Sequence, residues 1–160
     1  MASNLNQQHR EAVLSMHSKE RWDRRKRELD EWIAVKKERK MPKKTRLFEG
    51  VPVDEQLYLA LVCLQQAGIR TEYSCAGVSP LDEPEEHSLY AYVTFYAEGP
   101  AKRFTEIVLE YMKHRAVVTY EPEKNRYDVS SFFIGHNRSF CLLLEAAARR
   151  LMEEVCAAQD

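Results

Sequence analysis

Two short runs hold the residue types from which a binding site could be built: Thr71-Glu72-Tyr73-Ser74-Cys75-Ala76-Gly77 and Gly135-His136-Asn137-Arg138-Ser139. The first ends in small polar residues and glycine. That pattern predicts a strand end, where ligands tend to meet exposed side chains and backbone N–H groups. Ser74 has a hydroxyl to offer a phosphate or carbonyl, and Gly77 lets a ligand or a neighbouring backbone come close. Cys75 is either a small buried hydrophobe or, beside a suitable base, a nucleophile. No histidine stands near it in the sequence to act as that base. In the second run a strand gives way to a helix, whose first turn offers unpaired N–H groups and the positive end of the macrodipole to an anion. His136 and Arg138 would add charged donors, although Asn137 or Ser139 acting as a plain cap explains the same residues. If the two strand ends face one edge of a sheet, Ser74, Cys75, Gly77, His136 and Arg138 form one anion-accepting pocket, with Thr71 on the same strand.

A third set is defined by charge. Residues 1–46 hold 14 Lys and Arg against 7 Asp and Glu, while residues 47–160 hold 10 against 18, so the formal charge of −1 hides a net +7 joined to a net −8. The basic part contains Arg24, Arg25, Lys26, Arg27, Lys36, Lys37, Arg39, Lys40, Lys43, Lys44 and Arg46, with Trp22 and Trp32 among them. Such a segment could track a nucleic-acid backbone. Its tryptophans could anchor a partner protein, or it could pack on its own domain or a second copy with its charges solvated. All three readings stay open.

Other classes lack their signatures. The five histidines are isolated and the four cysteines form no CxxC, so no metal site is expected. No Walker loop, GxGxxG or GxSxG occurs, which removes most familiar nucleotide hydrolases, dinucleotide oxidoreductases and α/β hydrolases. No apolar run approaches the roughly 18 residues of a membrane span. The polar opening MASNLNQQHREAVLSM does not read as a secretory signal. A cytoplasmic protein with reduced thiols and no membrane contact is expected.

The elements that must position these residues follow from periodicity. From Ser18, a fitting cap, SKERWDRRKRELDEWIAVKKERK reads as a helix with Trp22, Lys26, Leu29, Trp32 and Ile33 on one face, stopped by Pro42. MPKKTR then reads as a linker, which divides the chain into a basic helical arm, 1–46, and a domain, 47–160. In the domain, VDEQLYLALVCLQQAG predicts a helix from Asp54 to Gly68. IRTEYSCAG and SLYAYVTFYA predict strands by their alternation, separated by an acidic loop, SPLDEPEEH, long enough to be a flap. Pro100 opens a helix through AKRFTEIVLEYMKH, AVVTYEPE and RYDVSSFFIG form a hairpin, and NRSFCLLLEAAARRLMEEVCAA is a long final helix. The expected fold is α+β, a mixed four-stranded sheet with helices in the order α-β-β-α-β-β-α behind the arm.

The run VPVDEQLYLALVCLQQAGIRTEYSCAG, followed by a loop and AYVTF, resembles the tRNA wybutosine-synthesis methyltransferase-like family. Its members carry a Val-Asp-Glu-Glu helix leading to a Thr-x-Ser-Ser-Cys-Ser-Gly-Arg strand end. Asp54, Glu55, Thr71, Ser74, Cys75 and Gly77 match, whereas Tyr73, Ala76 and Val78 depart, and the likeness covers about residues 51–95. It implies a related architecture and an RNA-modifying methyltransferase that uses S-adenosylmethionine near Ser74, Cys75 and Gly77. Small phage proteins with an SCxG strand end are similar too.

The reading that follows from the residues is a non-enzymatic binding protein of the kind carried by phages or mobile elements, in a counter-defence role. Its basic arm would engage nucleic acid, a nucleoprotein complex or a protein, and its domain would hold a phosphate-bearing ligand. No cofactor is expected, and self-association is open. The alternative is the methyltransferase-like enzyme.

Overall fold

The computed structural model describes residues 11–35, 43–79 and 87–159. The predicted acidic flap falls largely on residues 80–86 and lies outside them, as do Lys36, Lys37, Arg39 and Lys40.

The first elements are strand β1 (Ala12–Val13), helix α1 (Lys19–Ala34) and a ribbon of β2 (Thr45–Phe48) and β3 (Val51–Asp54). After them run α2 (Glu55–Gln66), β4 (Thr71–Cys75), β5 (Tyr92–Tyr96), α3 (Ala101–Met112), β6 (Ala116–Glu121), β7 (Arg126–Ser131) and α4 (Asn137–Ala158). Five strands form one sheet in the order β1-β6-β7-β5-β4, and every neighbouring pair is antiparallel.

The α+β class holds, but the sheet is antiparallel and five-stranded where the sequence predicts a mixed sheet of four, with the β2–β3 ribbon beside it. The reason is topological. β5 and β6 run the same way, as a strand, helix, strand unit should, but β7 lies between them, so no parallel pair forms. The fifth strand comes from the basic segment: β1 pairs with β6. Leu14 N–H extends the ladder to the Val118 carbonyl, and the Ser15 hydroxyl accepts from Val118 N–H.

Alternation along the strands divides the sheet. Val93, Phe95, Val118 and Val129 point into a core with Leu57, Leu61 and Leu64 of α2, Phe104, Ile107 and Val108 of α3, and Phe140, Leu144 and Leu151 of α4. Each fully buried large side chain stabilises by about 1.5–3 kcal/mol. Tyr92, Thr94, Asp128 and Ser130 stand on the other face, opposite one another in register. Between Thr71 and Ser74 the β4–β5 register slips in a bulge, after which Ser74 and Cys75 pair with Val93 and Tyr92.

Helix α1 begins where expected, with the Ser18 hydroxyl accepting from Arg21 N–H. No residue of it is buried; of the predicted stripe, Trp22 meets Phe132 and Leu29 and Trp32 are half-buried beside the docking residues Arg25 and Glu28, while Lys26 is exposed. Ile33, placed on that stripe, is 70% exposed. Among the described residues no helix is long and apolar enough to cross a membrane.

Candidate functional site

The end of β4 and the first turns of α2 and α4 enclose a cavity of about 360 Å³. Its wall includes Lys43, Lys44, Asp54, Glu55, Gly77 and Arg138, so three cations face two carboxylates.

Asp54 is the hub. It occupies the cap position of α2, yet its side chain makes no capping bond. Instead Oδ2 accepts from Lys43 Nζ at 2.8 Å and from Ala76 N–H at 2.6 Å, which fastens the segment before the ribbon to the end of β4. Lys43 Nζ also reaches Cys75 Sγ at 3.1 Å. Burial lowers the Lys43 pKa, but the bonds to Asp54 and Cys75 outweigh that and the net shift is upward. The sulfur meets two further donors, Gly77 N–H and Ser88 N–H, each at 3.4 Å. The sulfur therefore has three donors around it, one of them a lysine 32 residues away in the sequence. Cys141, by contrast, is buried and its thiol is pushed up to about 12 by that burial.

Asn137 closes the wall. Its side chain accepts from Ala91 N–H at 2.9 Å and donates to the carbonyls of Val78 and Leu89, both at 2.8 Å. It does not cap its helix; it ties the start of α4 to two segments of the sheet. Gly77 packs against it at φ +75°, and a Cβ there would lie 2.6 Å from Ala91 N and overlap the Asn137 amide. The close approach that Gly77 permits is therefore to the protein's own backbone and Asn137.

The sequence-derived residues divide. Gly77 and Arg138 line the cavity, and Cys75 touches it through Lys43. Ser74 pairs with Val93 and Thr71 with Phe95, farther along β4, and neither lines it. His136 turns away, its ring edge-on to Phe133 at 5.3 Å, with its pKa lowered by burial and by Arg115. Asp54 and Asn137 carry the geometry although their sequence positions suggested only caps. Among the described residues no group of three His, Cys, Asp or Glu could hold a metal ion.

The basic segment also divides. Lys43 and Lys44 belong to the cavity, and the Arg46 guanidinium lies over Tyr58 at 3.8 Å. In α1, Arg25 donates to the carbonyls of Phe132 at 2.7 Å and Ser131 at 3.3 Å and covers the Tyr90 ring at 4.0 Å. One turn on, Glu28 accepts from Ile134 N–H at 2.6 Å and Gly135 N–H at 3.0 Å. Arg24 lies over Phe133, and Trp22 meets Phe132 edge-on, with His17 stacked on the same ring. Trp32 is half-buried, whereas Lys26 and Arg27 are exposed.

The chain matches no family model, no curated protein and no solved structure.

Proposed function

We propose that the protein is a binding protein for a phosphate-bearing ligand, held in the cavity between the starts of α2 and α4, with the exposed cations of α1 offered to nucleic acid. One observation supports the first half above all. Lys44 and Arg138, far apart in the sequence, converge on a cavity whose wall includes the first-turn residues of two helices; with Asp54 matched by Lys43 and Glu55 the other carboxylate, the wall keeps one cation in excess. Helix starts and an excess cation together favour an anion of phosphate size.

Calorimetry with pyrophosphate tests this half. The wild type binds, and Lys44→Gln with Arg138→Gln weakens binding at least tenfold with an unchanged melting temperature; absence of wild-type binding sinks it. For the second half, support lies in Lys26 and Arg27, which α1 leaves outward while spending Arg25 on its own docking. Replacing both with Gln should lower the salt slope of oligonucleotide binding by about 2. An unchanged slope removes nucleic acid from the reading.

A second reading, an RNA-modifying methyltransferase, draws on the resemblance around Cys75 and on the three donors at its sulfur. A thermal shift with S-adenosylmethionine, absent with pyrophosphate, would favour it.

A further inference from the structure

On the polar face of the sheet, Ser88, Tyr90, Tyr92, Asp128 and Ser130 line a second hollow of about 300 Å³. It is built almost wholly from hydroxyls and one carboxyl. Tyr92 stands directly opposite Ser130 across β5 and β7, and Asp128 lies two residues before Ser130 on the same face. The Tyr90 hydroxyl oxygen is enclosed and, among the described residues, has no hydrogen-bond partner.

The hollow adjoins the cavity described above. Tyr92 pairs in register with Cys75, and Ser88, which lines the hollow, donates its N–H to Cys75 Sγ. Lys43, which lines the cavity, reaches the same sulfur, so both N atoms lie within 3.4 Å of one atom.

A lone carboxyl among hydroxyls, with tyrosine rings beside it, matches one ligand chemistry well. A carboxylate accepts from two neighbouring hydroxyls at once, serine and tyrosine hydroxyls both donate and accept, and with the Tyr90 ring covered by Arg25 it is the Tyr92 ring that is left to pack the C–H side of a sugar. Burial, with Glu121 and Glu11 adding to it, holds the Asp128 carboxyl up at about 6.

We propose that the hollow receives the polyol part of the ligand whose phosphate lies between the helix starts, so that the ligand is a phosphate ester of a vicinal diol, of the ribose phosphate type. This rests on the phosphate reading above and extends it. Cys75 and Lys43 form the partition over which such a ligand lies, which assigns Lys43 a contact to the bridging part of the ester.

Calorimetry at pH 7.5 with three probes tests it: inorganic phosphate, ribose 5-phosphate and 2-deoxyribose 5-phosphate. The expected order for the wild type is ribose 5-phosphate at least tenfold tighter than phosphate, with the deoxy compound between them. Asp128→Asn should abolish that preference and leave the phosphate affinity unchanged; Ser130→Ala, which keeps the strand's charge, should reduce it and serves if the first variant unfolds. Phosphate bound with no preference among the three, or a preference untouched by both variants, overturns the diol hollow and leaves the phosphate reading standing. No binding of any probe overturns both.

Discussion

Helices α1 and α4 are both long and both rich in charge, but they are attached in opposite ways. Seven residues of α4 are buried, Phe140, Leu144 and Leu151 among them, and its apolar side closes the core. No residue of α1 is buried. It is held by Arg25 and Glu28 reaching the backbone of residues 131–135, one donating to carbonyls and the other accepting from N–H groups, and by rings stacked around Phe132. Apolar burial scales with area and ignores pH and moderate salt, whereas directional and charged contacts do not. The difference makes α4 part of the cooperative fold and α1 the element that opens first. Both tryptophans of the chain, Trp22 and Trp32, lie in α1, so their fluorescence follows its docking while far-UV circular dichroism follows the rest.

The largest effect should come from α4. Leu144→Ala removes a fully buried side chain and is expected to cost about 2–5 kcal/mol of global stability in urea unfolding, with fluorescence and dichroism shifting together. Gly77→Ala strains a left-handed backbone and displaces the Asn137 amide from its three partners; about 2–3 kcal/mol should be lost, again by both probes. Glu28→Gln should separate the probes. It weakens the docking of α1 by about 1–2 kcal/mol, so the tryptophan transition moves to lower urea while the dichroism midpoint stays within error. If the two transitions remain superimposed, α1 belongs to the cooperative unit and the contrast between the helices fails.

Acidification should act on the two regions with opposite sign. Burial first and Arg21 second hold His17 below its ordinary 6.5. His136 is lowered by burial and Arg115. Undocked, both return toward 6.5, so the docked form binds fewer protons, and docking is at full strength above that pH and lost as pH falls below it. Asp128 runs the other way. Its carboxyl is raised to about 6 from 3.8, so the native sheet binds the extra proton and loses stability as pH rises from about 4 to about 6. Tryptophan fluorescence should therefore report undocking as pH falls below 6.5 with the sheet intact, and Asp128→Asn should flatten the dichroism profile without touching that step. Smallest of all is Arg24→Ala, which removes an exposed guanidinium from the Phe133 ring and should cost about 0.5–1 kcal/mol of docking.

How far the sequence could be read depended on the range of the interactions. The helix periodicity in 55–66, 101–112 and 137–158 and the alternation of the β6–β7 hairpin are local patterns, and those elements stand close to where they were expected. β1 is two residues long, and β2–β3 lies in and after a stretch that reads as a basic linker. β1 exists because β6, far along the chain, supplies the ladder, a fact no local pattern encodes, whereas β2 and β3 pair with each other across the two-residue turn Glu49-Gly50, both at positive φ, a local signal that the linker reading passed over. The site divides in the same way. Gly77 and Arg138 carry recognisable local signatures. The role of Asp54 depends on Lys43 and on Ala76 N–H 22 residues away, and that of Arg25 on carbonyls 106 and 107 residues away. Charge counting saw a cluster in 24–27, but only the tertiary structure shows that Arg24 and Arg25 lie against Phe133 and the carbonyls of Ser131 and Phe132 while Lys26 and Arg27 stay exposed.

The bulge in β4 has a consequence for behaviour at high concentration. Among the described residues the sheet ends on β1, only two residues long, and on β4, whose ladder is interrupted between Thr71 and Ser74. A straight, uninterrupted border would offer a row of unpaired N–H and C=O groups to another molecule, and pairing along it is the usual route to fibrils. Here one border is too short to template a strand and the other is kinked and carries Glu72. The protein should therefore stay free of self-templated aggregation for as long as β4 keeps its kink.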